Sequence, residues 1–242
     1  AAVSNSDGSI TSQVSANQDA GFSIVTYTGN GQSGATIGHG LGLAPKMIIV
    51  KDRDAGRDWA VYHTALGATK NLFLNLTNGV ATDSGVWTNT EPTSTLFTVG
   101  TSAYTNYGNL ASGDKFVAYC FSEVEGYSKF GSYTGNGSTD GPFVFCGFRP
   151  AYVWLKGSTF ASNWNTYDSA RSEYNAADDL LRLNSAAAEV SDYSPAAIDL
   201  LSNGFKIRTS SGDWNSSGQT FVFCAFAENP FGGDGVSPAT AR

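Results

Sequence analysis

The chain spells nearly the same sequence twice. Tyr27-Thr28-Gly29-Asn30-Gly31 returns 106 residues later as Tyr133-Thr134-Gly135-Asn136-Gly137. Pro45–Lys51 (PKMIIVK) is answered by Pro150–Lys156 (PAYVWLK), Trp59 and Tyr62 by Trp164 and Tyr167, and Phe116–Glu123 (FVAYCFSE) by Phe221–Glu228 (FVFCAFAE), each at a shift of 105. Four blocks in one order define a repeat of roughly a hundred residues, about one small domain per copy. Two like units are therefore expected in tandem rather than one cleft assembled once. A residue that both copies keep reads as scaffold, and one held by a single copy is free to carry function.

Each copy has the pattern of a β unit. Phe22–Thr28 and Phe130–Thr134 are strands that stop at Gly-Asn-Gly, where Asn-Gly supplies the positive φ of a tight turn. Pro-led strands follow, with Pro at the entry where its missing N–H does least harm. Trp59–Tyr62 and Trp164–Tyr167 are the next strands, and Asn71–Asn75 (NLFLN) resembles Leu180–Asn184 (LLRLN) at a shift of 109, so the second copy carries extra residues there. Leu96–Val99 and Gly204–Thr209 come next. Each copy closes on its most apolar run, Phe116–Phe121 and Phe221–Phe226, the pattern of a strand covered on both faces. Asn175–Val190 has some helical composition, but its alignment with the first copy makes part of it a strand. The fold expected is all-β: two tandem, internally duplicated antiparallel β-sandwich units, jelly-roll-like, over 21–126 and 127–230. The polar residues 1–20 read as a linker or extended arm, and 231–242 as a flexible tail.

Composition excludes several classes. With 28 glycines, only 14% charged residues and a net charge of −7, the chain lacks the clustered Lys and Arg that neutralise phosphate, so nucleic acid is not an expected partner. No apolar run reaches the roughly 18 residues of a bilayer span, and membrane insertion is not expected. Three cysteines, Cys120, Cys146 and Cys224, lie inside apolar strand patterns without metal spacing and read as buried free thiols. The alignment sets Cys120 against Ala225 and Cys224 against Tyr119, on opposite strand faces, which disfavours a symmetric bridge.

Groups that could carry chemistry are few. His39, in Gly38-His39-Gly40, is set against Val144 by the alignment and reads as a turn residue bonded to backbone; His63 is set against Asp168. Asp52, Asp54 and Asp58 have the oxygen spacing of half a calcium loop, but Arg53 and Arg57 interleave them and the second copy reads KGSTFASNW, so a charged hairpin tip is the plainer reading. Asp178-Asp179 reads as a solvated turn. No G-x-S-x-G, HExxH or Walker pattern occurs. No catalytic residue, metal site or cofactor is expected.

Aromatics divide by the same comparison. Trp59, Trp164, Tyr62 and Tyr167 are matched and read as core. Trp87, Tyr104, Tyr107 and Trp214 are unmatched and sit among Thr, Asn, Ser and Gly, where an exposed ring beside polar groups could stack on a sugar. These four are the candidate ligand contacts.

GFSIVTYTGNG, GHGLGLAPKMIIVK, the junction CFSEVEGYSKFGSYTGNGSTDGPFV, FRPAYVWLK and AFAENPFGG together resemble a tandem module found near the carboxyl end of tail-fibre and other virion-appendage proteins of marine tailed phages. The resemblance covers nearly the whole chain but carries no catalytic or ligand residues. It implies a place on the virion, a homotrimer among other virion proteins, attachment to a host surface glycan or outer-membrane protein without catalysis, and a segment upstream of Ala1. The alternative is a capsid decoration or tail-knob protein with no receptor role.

Overall fold

The computed structural model describes residues 1–109, 112–192 and 198–229. The chain is all-β and divides into two units, one of residues 1–76 and 80–123, the other of 77–79 and 124 onward. The division falls three residues before the expected 126/127, because the Val124 carbonyl accepts the N–H groups of Tyr127 and Ser128 and so ties the connecting turn to the second unit.

In the first unit the strands are β1 (Val3–Asn5), β2 (Ser12–Asn17), β3 (Phe22–Thr28), β4 (Ala35–Gly38), β5 (Met47–Asp52), β6 (Ala60–His63), β7 (Lys70–Phe73), β8 (Ala81–Thr82), β9 (Leu96–Val99) and β10 (Lys115–Phe121). Two helical turns, α1 (Ser84–Trp87) and α2 (Ala103–Asn106), lie among them. The main sheet runs β1-β2-β3-β10-β5-β6-β7-β8, and β4 pairs with β9 in a second. Side chains of both sheets meet in one core, among them Val25, Tyr27, Ile37, Phe97, Phe116 and Trp87.

The second unit has β11 (Ser128–Thr134), β12 (Phe143–Phe145), β13 (Pro150–Gly157), β14 (Trp164–Asp168), β15 (Leu181–Arg182), β16 (Ile198–Leu201), β17 (Gly204–Ile207), the helical turn α3 (Gly212–Asn215) and β18 (Thr220–Ala227). Its sheets run β11-β18-β13-β14-β15 and β12-β17-β16. Pairings seen in the first unit have counterparts here: β11 with β18 as β3 with β10, β13 with β18 as β5 with β10, and β12 with β17 as β4 with β9.

The YTGNG sequences have a structural reason. The Tyr27 hydroxyl donates to the Thr105 carbonyl at 2.7 Å and Tyr133 to the Trp214 carbonyl at 2.8 Å, each from a ring stacked on the closing strand, on Phe116 and Phe221 respectively. Burial pushes both phenols well above their ordinary pKa. At Gly29 an added Cβ would lie 2.4 Å from the Tyr107 carbonyl oxygen, and at Gly135 2.3 Å from that of Ser216, so only glycine lets the backbones approach. Into the following loop each unit sends a buried asparagine. Asn106 Oδ1 accepts the Asn30 N–H at 2.8 Å while its Nδ2 donates to Gln32 O and Gly100 O at 3.0 and 2.8 Å; Asn215 bonds Asn136 N, Ser138 O and Thr209 O at 2.8, 2.7 and 2.9 Å.

Two expectations change. Residues 1–20 are not a free linker: β2 pairs antiparallel with β3, β1 pairs with β2, and Ile10 and Val14 are buried in the core. Ser12–Asn17 alternates buried and exposed at its start, which is the signature of a half-buried strand beneath a polar composition. His39 is displaced from its expected match, since Ile37 pairs with Phe97 as Val144 pairs with Phe205, which sets His39 against Cys146. The strand at 180–184 is present in shortened form as β15, and Asn184 Oδ1 accepts the Trp164 N–H just as Asn75 Oδ1 accepts that of Trp59. Residues 175–190 contain no helix. The expected tail at 231–242 lies outside the described residues.

Candidate functional site

The four candidate aromatics do not form one surface. Trp87, on α1, and Trp214, on α3, are 2% and 1% exposed and belong to the cores of their respective units; neither has a face to offer a sugar. Short helical turns carry both indoles inward, and polar neighbours in sequence misrepresent that. Tyr104, on α2, packs edge-to-face on Phe73 at 4.8 Å and is half-buried against the first core. Tyr107 alone of the four is exposed, at 51%.

Tyr107 follows α2 and lies at the tip of the β5–β6 hairpin. The Arg57 guanidinium sits over its ring, 4.3 Å from the centroid. Arg57 Nη1 also bonds Asp114 Oδ2 at 2.7 Å and Asp52 Oδ2. Asp52 is buried, and its other oxygen accepts the Asp54 and Ala55 N–H groups at 2.9 and 3.1 Å, closing the hairpin turn. Lys51 Nζ donates to the carbonyls of Asp52 and Ala55 at 2.6 and 2.9 Å, and Asp54 Oδ2 accepts the Lys115 N–H at 2.8 Å. A carboxylate so buried is tolerable only when paired and hydrogen-bonded, and Asp52 is both.

Chemically the tip combines a half-exposed aromatic edge, a guanidinium held on its face and carboxylate oxygens able to accept hydroxyl protons. That set fits a polar or polyhydroxylated surface ligand. At the corresponding places of the second unit stand Gly157, Ser162, Ser216 and Gln219, so this tip belongs to one unit only. Lys156, which stands where Lys51 does, is fully buried with Nζ on the Gly157 carbonyl at 2.6 Å, and burial lowers its pKa to about 8. Sequence reading reached Tyr107 and the Asp52–Asp58 run separately. Their union through Arg57 and Asp114 spans 57 residues and has no local signal.

The remaining candidates are structural. His39 is buried, with Nδ1 accepting the Leu41 N–H at 3.3 Å and Nε2 at 3.2 Å from the Thr93 carbonyl; burial lowers its pKa. His63 Nδ1 accepts the Ala65 N–H at 3.2 Å. Asp58 accepts from Asn75, and Asp179 from Ser172, at 2.8 and 2.9 Å. Among the described residues no three His, Cys, Asp or Glu side chains gather as a metal site. All three cysteines are buried, and burial pushes the Cys120 thiol up to about 12. Tyr62, Tyr167 and Trp164 are core as expected, while Trp59 is half-buried and stacked on Tyr119 at 6.4 Å. No helix among the described residues is long and apolar enough to cross a membrane.

A family profile described as "Domain of unknown function (DUF7483)" matches residues 1–230. The chain belongs to this family. The DUF7483 match runs through both units and includes the strands at 1–20, in keeping with their place in the first sheet. No curated protein and no solved structure matches the chain.

Proposed function

We propose that the chain is a non-catalytic attachment module, the distal part of a phage tail fibre, which touches a host surface glycan or outer-membrane protein through the tip of its first unit. The exposed Tyr107 ring, held by Arg57 among Asp52 and Asp114, carries this reading. The resemblance to virion-appendage modules supplies the place and the trimeric assembly. In a trimer a weak contact of this kind is presented three times, which raises avidity by orders of magnitude without new contacts.

The test is a glycan array together with binding to whole host cells, using the purified chain and its Tyr107→Ala variant. Attachment by the native chain that falls at least tenfold in the variant supports the reading. Absence of attachment defeats it in favour of a structural virion protein, and attachment indifferent to Tyr107 defeats the assignment of the contact to this tip.

A further inference from the structure

The two units treat the same sheet edge differently. In the first, β2 covers the outer edge of β3 in the register Val14↔Val25, and the segment before it runs along β4, where the Ile10 N–H bonds the Thr36 carbonyl at 3.0 Å and the Ser12 hydroxyl bonds the Gly38 carbonyl at 2.9 Å. Ile10 and Val14 thereby seal the core from the side. Among the described residues of the second unit, β11 ends its sheet and β12 ends the facing one. The few residues between β10 and β11 are taken up by the Val124–Ser128 turn, so the sequence preceding β11 supplies no such cover.

What lies at this edge is half of a core. A groove of about 260 Å³ opens between the strands, lined by Gly131, Tyr133, Phe143, Val144, Phe145 and Phe223 among others. Gly131 stands where the first unit has Val25, and a Cβ there would lie 2.9 Å from the Phe223 ring; Phe223 in turn stands where the first unit has Ala118. Phe223 thus fills the space of Val25, and the space corresponding to Val14 and Ile10 is the groove. On β12 the places of Thr36 and Gly38 are taken by Phe143 and Phe145, which are 46% and 57% exposed. The Gly135 N–H to Gln219 carbonyl bond fixes the phase of the ladder: odd-numbered residues of β11 bond β18, and Ser132 and Thr134 turn their backbone groups outward.

We propose that this edge accepts an extended segment of a different protein, which adds antiparallel to β11 and sets aliphatic side chains at alternate positions into the groove against Phe143 and Phe145. The first unit's own β2 is the template for that strand. A second copy is the poorer occupant. Antiparallel pairing of two β11 strands brings Lys129, Gly131 and Tyr133 to the groove, of which Gly131 fills nothing and Tyr133 is already buried in its own core. The proposal is independent of the tip at Tyr107.

The probe is a synthetic peptide of residues 9–20 of this chain, compared with a version in which the residues at 10 and 14 are serine. Hydrogen exchange on the intact chain locates binding. The expected result is fast exchange at Ser132 and Thr134, slowed at least tenfold by the first peptide and not by the second. Ser132→Pro removes an outward N–H that β18 does not use, and should leave melting within a few degrees while weakening the peptide at least tenfold. Should that variant not fold, Phe143→Ser with Phe145→Ser is the substitute, with the same expected loss. Slow exchange at Ser132 and Thr134 without peptide, protection confined to β3, or unchanged binding by the variants overturns the proposal. So does self-association of the chain that Ser132→Pro abolishes, which would assign the edge to a second copy.

Discussion

Replacing Asn106 by alanine tests whether the buried asparagine closes its unit. Its side chain is fully buried and holds three strands of loop together: it accepts from Asn30 and donates to Gln32 and Gly100. Truncation leaves the Asn30 N–H and the Gly100 carbonyl without their partner, while Gln32, at the surface, can turn to water. At about 1–3 kcal/mol for each of the two orphaned groups, the loss falls between about 2 and 6 kcal/mol, centred on about 3–4 kcal/mol. For a unit of roughly a hundred residues that is a fall in Tm of about 12–30 °C. Differential scanning calorimetry should show a first-unit transition displaced by this amount and a second-unit transition in place; Asn215→Ala should do the reverse. Asn106→Asp keeps the acceptor but turns an anion toward two carbonyls, and should be at least as damaging. A loss below about 1 kcal/mol for Asn106→Ala would refute the account, since the loop would then be held by other contacts.

Other expectations follow from single groups. Tyr27→Phe and Tyr133→Phe each remove one hydroxyl donor from a carbonyl in the interior and should cost about 1–2 kcal/mol by chemical denaturation, in the first and second unit respectively. His39 is held below its ordinary pKa by burial, so the unfolded chain binds the proton more readily; the stability it contributes is complete above about pH 6.5 and is lost as pH falls. The pH dependence of first-unit melting below neutrality should flatten in His39→Gln, and an unchanged slope would argue against the assignment. Cys120 and Cys224, buried with raised pKa, should resist alkylation in the native chain and react at the rate of an unfolded thiol once denaturant is added.

What the sequence disclosed was local. Strand positions, the Gly-Asn-Gly turns and the buried Tyr62, Tyr167 and Trp164 could be read from two aligned copies, because hydrophobic alternation and turn chemistry are properties of neighbouring residues. What escaped was set by tertiary placement. Ser12–Asn17 has the composition of a linker and becomes a strand because β3 offers it an edge. Trp87 and Trp214 look like loop residues and are core because one helical turn reverses the direction a side chain faces. Arg57 and Asp114 meet Tyr107 only because the β5–β6 hairpin, the start of β10 and the end of α2 converge. The offset that sets His39 against Cys146 became visible through the pairing of β4 with β9 and of β12 with β17, partners some sixty residues apart.

The pairing of β3 with β10, and of β11 with β18, has a consequence during synthesis. Each unit lays down one half of its central ladder, β3 or β11, early and receives the other half, β10 or β18, last. A nascent chain therefore holds an incomplete sheet until about a hundred residues have left the ribosome, and the many distant pairings make closure slow relative to a helical protein of the same length. The first unit completes at Phe121 before any strand of the second has emerged, so the two cores are separated in time as well as in sequence. A ribosome pausing shortly after Phe121 would favour correct assembly, and one pausing before Lys115 would hold β3 without its β10 partner for the length of the pause.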